Sequence, residues 1–284
     1  MIKHYHGKVG FPSQGEVTAY VEPFLGGGAM LGAAQKLYPQ TPCFVNDINT
    51  ELINLYGWVK RDVVSIEEHL NVWQKEFLSI PVASRNERKQ YYYTRRKEYW
   101  GMPEDSALAA ALLFFLMKTG FNGIWQSCEE ANGKFATPVG LAKQEERVYD
   151  VGRLHEWHAA MKKVEVSSGS YRNMDVPEGS FVFCDPPYRD SFTSYNTVFN
   201  DASQKELMEW CHALSVEKGC HVWLSNRDAG DDFFMKHAIR VGMQNVAEHR
   251  FPITYTAGRR KREANNGFSA KKATELLLVW DPAR

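Results

Sequence analysis

Several features are missing from this chain, and each absence removes a class of function. The 284 residues hold five cysteines, an odd number, and no C-x-x-C pair. A disulfide frame and a zinc knot are therefore not expected, and Cys43, Cys128, Cys184, Cys211 and Cys220 read as reduced thiols. No apolar run reaches the eighteen or so residues of a membrane-spanning helix; the longest, Ala107 to Met117, suits a buried helix. The opening Met1-Ile2-Lys3-His4-Tyr5-His6 lacks the apolar core of a secretion signal, so a cytoplasmic protein is expected. Two isolated histidines, His4 and His6, do not make a metal site, and none is expected. There is no excess of charge: 34 Lys and Arg balance 34 Asp and Glu. Attraction to a polyanion would have to come from local clusters instead of net charge. No glycine-rich segment ends in Gly-Lys-Ser/Thr, which argues against a P-loop, and the dinucleotide fingerprint is not cleanly matched. Internal repeats and low-complexity tracts are also absent.

What is present points to a site at the end of two strands. The apolar run Phe181-Val182-Phe183-Cys184 stops on Asp185-Pro186-Pro187-Tyr188. Proline lacks an N–H and fixes φ, so the pair freezes a turn just past the strand's carboxyl end. Ligands bind at that edge of open α/β sheets. The turn offers a carboxylate, fixed carbonyls and an aromatic face, a set suited to a planar heteroaromatic amine; an ordinary strand-end turn with a surface tyrosine is the plainer alternative. A second segment, Tyr20 through Met30, reads as strand, glycine turn and helix around Gly26-Gly27-Gly28. Twenty-one residues beyond Gly26, Asp47 closes the strand Cys43–Asp47, a spacing that fits an acid bonding ribose hydroxyls. Together these read as a nucleoside site without a strong phosphate site.

The remaining pattern organises the chain. Residues 17–38 read as strand, turn and helix, and another helix starts near Glu51. Helical periodicity then predicts 65–78, 85–100 and 105–118, and residues 121–139 alternate around Gly133 as a hairpin. A helix over 147–161 precedes strands at 163–167, 180–184, 220–225, 247–253 and 274–280, with helices at 203–217 and 231–239. Hydrophobic content of 44% supports a sizeable core. The reading is an α/β core split by a mostly helical insertion. Two stretches gather cations. One, Arg85 to Lys97, includes Arg95 and Arg96 interleaved with Tyr91-Tyr92-Tyr93. The other includes Arg259, Arg260, Lys261, Arg262, Lys271 and Lys272. Phosphate contacts and a solvated surface are both open for the first; for the second, phosphate contacts are the preferred reading.

Taken in order, these segments resemble the Dam-like class of S-adenosylmethionine-dependent DNA adenine-N6 methyltransferases. His4-Tyr5-His6-Gly7-Lys8 is similar to the class's N-terminal segment, although His6 replaces an expected glycine. Glu22 to Gly28 resembles its methionine-side loop, and Asn46 to Asn49 its ribose turn. Phe121-Asn122-Gly123 through Gly140 resembles its recognition hairpin, and Asp185 to Tyr188 its catalytic motif. Leu224-Ser225-Asn226, Asn265-Asn266-Gly267 and Glu275-Leu276-Leu277 match its closing segments. The resemblance implies a Rossmann-like seven-stranded sheet. Residues 1–55 and 141–284 would form the S-adenosylmethionine-binding catalytic domain, and 56–140 the target-recognition domain with its β-hairpin. It implies Asp185, Pro186, Pro187 and Tyr188 as catalytic, and Tyr5, Lys8, Glu22, Phe24, Gly26, Gly28, Asp47, Tyr171 and Asp185 around the cofactor. Phe121, Asn122, Ile124, Gln126 and Pro138 would meet double-stranded DNA, with Arg95, Arg96, Arg259, Arg260, Asn266 and Lys271 in support. Members that read Gly-Ala-Thr-Cys usually carry an arginine in the hairpin; here the matching position is Gln126, which suits adenine edges better than guanine. That target sequence is therefore not assumed. A bacterial or phage source, and a cognate restriction enzyme, are compatible with the resemblance. RNA adenine, cytosine N4, or a DNA-binding protein without activity are the rival readings.

Overall fold

The computed structural model describes residue 5 and residues 7–140, 146–189, 199–255, 261–262, 268–269 and 271–282. Its strands are β1 (Tyr20–Glu22), β2 (Cys43–Asp47), β3 (Val164–Ser168), β4 (Phe181–Cys184), β5 (His221–Arg227), β6 (Val246–Tyr255), β7 (Lys261–Arg262), β8 (Phe268–Ser269) and β9 (Lys271–Trp280). Seven of them form one sheet in the order β3-β2-β1-β4-β5-β9-β6, while β7 and β8 pair separately. β1, β2, β4 and β5 run parallel, and β9 enters antiparallel between β5 and β6. The expected α/β fold with a seven-stranded sheet is borne out.

The central strands are apolar on both faces, as a buried parallel sheet requires. Phe181 to Cys184 are all buried, as are Val222, Trp223 and Leu224. The expected strands and helices fall within a few residues of their observed bounds. Helices α1 (Ala29–Leu37), α2 (Thr50–Arg61), α3 (Val63–Ser79), α4 (Arg85–Trp100), α5 (Ala107–Thr119), α6 (Val151–Met161), α7 (Asp201–Lys218) and α8 (Phe233–Val241) complete the set. Five of them start on a side-chain cap: Asn49, Asp62, Ser106, Asp150 and Asn200 each accept a backbone N–H from the first turn.

The chain divides into two compact units. One comprises Met1–Ile48, Gly169–Thr193 and Val198–Arg284, and its core joins Val21, Val182, Cys184, Leu224 and Leu278 to α7 and α8. The other is chiefly Asn49–Ser168. Here α5 is apolar all round, and α2, α3 and α4 pack against it. The helical unit extends beyond 56–140 on both sides because α2 packs on α5 and α6. Among the described residues, no helix is long and apolar enough to cross a membrane.

In the helical unit the hairpin is an antiparallel excursion instead of a continuous ladder. Bridges at Gly120↔Val139 and Ser127↔Phe135 hold it, with one-turn helices at Phe121–Gly123 and Glu129–Ala131 between them. Its neck needs two glycines. A Cβ on Gly140 would stand 2.7 Å from the Gly120 carbonyl oxygen, and one on Gly120 2.8 Å from that of Leu116.

Candidate active site and candidate nucleic-acid interface

In the sheet unit, β1 and β4 are parallel neighbours, with Tyr20 opposite Phe181 and Val21 opposite Val182. β2 lies on the other side of β1, so the order of the chain reverses at this pair. Ligands bind beside such a reversal, at the strands' carboxyl ends. The segment after β1 is the glycine turn, and the segment after β4 is Asp185-Pro186-Pro187-Tyr188. The two motifs, far apart in sequence, therefore leave the sheet from adjacent strand ends.

The glycine turn is tied to β2. Gly26 donates its N–H to Asp47 Oδ2 at 2.8 Å, and Leu25 donates to the Asn46 carbonyl at 2.9 Å. Gly26 has a φ of +47°, in the left-handed region that favours glycine. A Cβ on Gly26 or Gly27 would meet nothing within 4 Å, so the backbone faces open space on that side. Gly28 caps α1 at φ 66°. Asn46, buried, donates from Nδ2 to the carbonyls of Pro23 at 3.1 Å and Gly169 at 2.9 Å, and so joins this turn to the segment after β3. Glu22 ends β1 at 2% exposure and accepts the Tyr20 hydroxyl at 2.7 Å. Burial pushes its carboxyl well above the usual carboxylate range, and the charges of Asp185 and Asp47 push the same way.

The Asp-Pro-Pro-Tyr turn is held from β5, α7 and β9. Ser225 donates to Asp185 Oδ1 at 2.5 Å, because β5 runs beside β4 with Cys184 opposite Leu224. Burial raises the Asp185 pKa, and the hydroxyls of Ser225 and Tyr188 draw it back. Tyr188 donates its hydroxyl to Glu275 Oε1 at 3.0 Å, and burial raises its pKa above that of an ordinary tyrosine. Behind the turn, Gln204 donates to the Pro187 carbonyl at 2.7 Å and accepts from Asn226 Nδ2 at 3.0 Å. Asn226 Oδ1 in turn accepts the backbone N–H of Arg189 at 3.1 Å. Gln204 and Asn226 are both fully buried. Arg189 then clamps Asp201 and Asp231 while its guanidinium lies 3.7 Å from the centre of the Phe233 ring.

Some expected residues occupy other settings. Tyr5 is fully buried among Phe183, Trp223 and Phe251. Lys8 is exposed, with its ammonium 5.5 Å from the Phe251 ring centre. Tyr171 is buried between Trp210 and the part-exposed Phe24, whose ring centres lie 5.2 and 5.3 Å away. Gln204 has no signal in the sequence, since a helical glutamine is ordinarily a surface residue. Asn226 sits in a segment read only as a matching one.

In the helical unit, Phe121 and Ile124 are 40% and 36% exposed, two large apolar side chains at the surface of one short limb. Asn122, Gln126 and Pro138 are exposed beside them, and Asn122 takes a left-handed backbone with φ 53°. All five expected hairpin contacts thus face solvent. The two expected arginines, Arg95 and Arg96, are bonded within the fold. Arg96 donates to the carbonyls of Ala136 at 2.6 Å and Thr137 at 3.2 Å, and stacks between Tyr93 and Trp100. Arg95 bonds Glu98 at 2.8 Å and lies 3.5 Å from Glu76. Both guanidinium groups are thus engaged within the fold. The outer face of α4 instead carries a shallow groove lined by Asn86, Lys89, Gln90, Tyr93, Thr94 and Lys97. Arg259, Arg260 and Asn266 lie outside the described residues, as does the side chain of Lys271.

Residues 8–248 match the sequence pattern of the D12 class N6 adenine-specific DNA methyltransferases. The type II methyltransferase M.MjaIII of Methanocaldococcus jannaschii is 33% identical over 233 residues, covering 78% of each chain. The DNA adenine methylase of Serratia marcescens is 30% identical over 275 residues, covering 92% of this chain and 88% of its own. That of Escherichia coli K12 is 27% identical over 271 residues, covering 92% and 86%.

Proposed function

Because the chain belongs to the D12 class of N6 adenine-specific DNA methyltransferases, and so moves a methyl group from S-adenosylmethionine to adenine N6 in DNA, we propose the following division of labour among its residues. The observation that carries it is the exit of the glycine turn and the Asp-Pro-Pro-Tyr turn from adjacent carboxyl ends of the paired strands β1 and β4. The open backbone at Gly26 and Gly27 fits close approach by the cofactor's methionine part. Asp47 holds the ribose hydroxyls, and Glu22 supplies negative charge for a cationic ligand. Phe24, Lys8 and Gly28 frame the same pocket, while Tyr5 and Tyr171 act from the core behind it.

S-adenosylmethionine supplies a methyl group made electrophilic by its sulfonium. The chain's task is to make adenine N6 a competent nucleophile, since its lone pair is delocalised into the ring. The Asp185 carboxylate and the Pro186 carbonyl accept the two amino hydrogens and hold the nitrogen in a more pyramidal state. Tyr188 packs against the base, with its hydroxyl anchored by Glu275. A target in duplex DNA leaves the stack to reach these groups, at a cost of a few kcal/mol. Positioning and fixed dipoles then do most of the catalysis.

Gln204 and Asn226 belong to this scheme as positioning residues. Gln204→Leu would strand the Pro187 carbonyl and the Asn226 amide without partners in a buried setting, at about 1–3 kcal/mol for each group. Steady-state kinetics should give a kcat lower by about tenfold or more, with KM for S-adenosylmethionine within about twofold. Unchanged kcat would remove the network from the mechanism.

In the helical unit, the exposed limb carrying Phe121, Asn122, Ile124 and Gln126 reads the DNA. Phe121 fills the gap left by the flipped base, Asn122 meets the orphaned partner, and Gln126 contacts a base edge. Phosphate contacts on this unit fall to Lys89 and Lys97, which make no ion pair among the described residues. The relative M.MjaIII is named a type II methyltransferase, which supports a cognate restriction enzyme, and the expected site of action is the cytoplasm. The test is modification-sensitive long-read sequencing of DNA from methylation-deficient cells expressing the chain. N6-methyladenine confined to one motif is expected. Marks scattered without a motif, or none from soluble protein, would overturn the assignment of the hairpin and of the site.

A further inference from the structure

The hairpin's two limbs are held very differently. The outgoing limb exposes Phe121, Asn122, Ile124 and Gln126, while Trp125 turns inward against Phe135. The return limb, from Lys134 to Thr137, is bonded through its backbone to one face of α4. Tyr92 donates its hydroxyl to the Thr137 carbonyl at 2.8 Å. One turn on, Arg96 donates to the carbonyls of Ala136 and Thr137. A further turn on, Trp100 donates from Nε1 to the Phe135 carbonyl at 2.9 Å. From α2, Glu51 accepts the Phe135 N–H at 3.1 Å and also the Tyr99 hydroxyl. Residues spaced by four on a helix share a face, so a single stripe fixes the limb.

Thr137 passes this register across the hairpin. Its hydroxyl donates to the Ile124 carbonyl at 2.6 Å and accepts the Gln126 N–H at 3.0 Å. The side chain is 1% exposed, and its hydroxyl both donates and accepts. Ala136 adds an N–H to the Gln126 carbonyl at 2.6 Å. The backbone of Gln126 is thus held on both sides, and a shift at Thr137 would move both Ile124 and Gln126.

We infer that Arg96 and Thr137 are specificity-positioning residues: α4 fixes the return limb through Arg96, and the Thr137 hydroxyl transmits that register to Ile124 and Gln126. This rests on reading the exposed limb as the DNA-recognition element. Neither residue touches DNA in this scheme, which separates it from a phosphate-binding role for Arg96. A lost phosphate contact lowers the slope of log K against log[salt] by about 0.9 and weakens all sequences alike. A lost positioning contact leaves the slope alone and narrows the gap between right and wrong sequences.

The test uses the full chain with Thr137→Val, Thr137→Ser, Arg96→Met and Gln126→Ala. Each is measured for methylation of the wild-type motif against single-base variants of it, and for the salt dependence of DNA binding. Thr137→Val keeps shape and removes the hydroxyl, so discrimination should fall by about tenfold, the scale of one misplaced base contact. Thr137→Ser should restore it. Arg96→Met should relax discrimination with an unchanged salt slope, and carries the test if Thr137→Val does not fold. A slope lower by about one in Arg96→Met with discrimination intact would overturn the inference in favour of a phosphate contact. Wild-type discrimination in Thr137→Val beside relaxed discrimination in Gln126→Ala would overturn the inference alone. Wild-type discrimination in both would overturn the recognition reading and the inference with it.

Discussion

Asp185→Ala should lower turnover by about a thousandfold while leaving the chain folded and still able to bind S-adenosylmethionine. The size follows from losing a preorganised polar contact to the reacting group, typically worth about 10²–10³-fold. Asp185 stands one residue past β4, with its carboxylate oriented by Ser225 at 2.5 Å. Alanine removes the acceptor for the amino group and leaves the Pro186 carbonyl alone. The fold should tolerate the change, because burial already opposes the charged form of this carboxyl. The same fact sets a pH dependence. With its pKa raised, Asp185 takes up a proton at a higher pH than an ordinary carboxyl, and the protonated form accepts the amino hydrogens poorly. The acid limb of kcat should therefore begin above the usual carboxylate range and be absent from the residual activity of the variant. Single-turnover transfer to a duplex carrying the methylated motif, followed across pH, checks both statements. Near-wild-type turnover in Asp185→Ala would sink the catalytic assignment.

The parts of the site that were legible in the sequence are those where a local rule is broken at the end of a strand. Four apolar residues ending on an acid and two prolines, a triple-glycine turn after a strand, and an acid closing β2 are departures that a linear reading can find. Their convergence follows from strand order, since β1 and β4 become neighbours only when the sheet is assembled. Gln204 escaped because its partners, the Pro187 carbonyl and Asn226, lie 17 and 22 residues away on other elements. Nothing in a run of helical residues distinguishes a glutamine that is fully buried from one in water. The internal role of Arg96 is hidden for the complementary reason. Sequence displays its charge, but its acceptors are backbone carbonyls of residues 40 and 41 positions later, and carbonyls leave no trace in composition. Thr137 carries no mark of its own within the hairpin segment. A hydroxyl bridging the two limbs of a hairpin is a property of register, and register appears only once the limbs are paired.

Glu22→Gln should stabilise the protein and impair its binding of S-adenosylmethionine. The carboxyl is 2% exposed at the end of β1 and has no cationic partner among the described residues. Burial raises its pKa in the folded chain, so the folded state holds the proton more tightly than the unfolded one. Folding then carries no penalty from this group below the unfolded carboxylate value. The penalty builds as pH rises from there to the raised value and is complete above it. An amide of the same size never ionises, and its carbonyl still accepts the Tyr20 hydroxyl. Wild type should therefore lose stability relative to the variant as pH climbs through that window, and at pH 8 the variant should unfold about 2–4 °C higher, the shift made by roughly 1 kcal/mol in a chain of such size. The compensation for keeping a buried carboxylate without a counter-charge is its attraction to a cationic ligand. Binding the positively charged cofactor should favour the ionised form, release protons from this cluster, and be weaker in the variant by about tenfold, the equivalent of one pKa unit. Calorimetric titration in buffers of different ionisation enthalpy measures the proton release directly, without turnover. A variant that binds S-adenosylmethionine like wild type with the same proton count would place Glu22 outside the cofactor site. A variant no more stable than wild type at pH 8 would mean that the buried charge is already compensated within the fold. Stability given up at a site and recovered as affinity is the trade that functional carboxylates make, and Glu22 is where this chain can be tested for it.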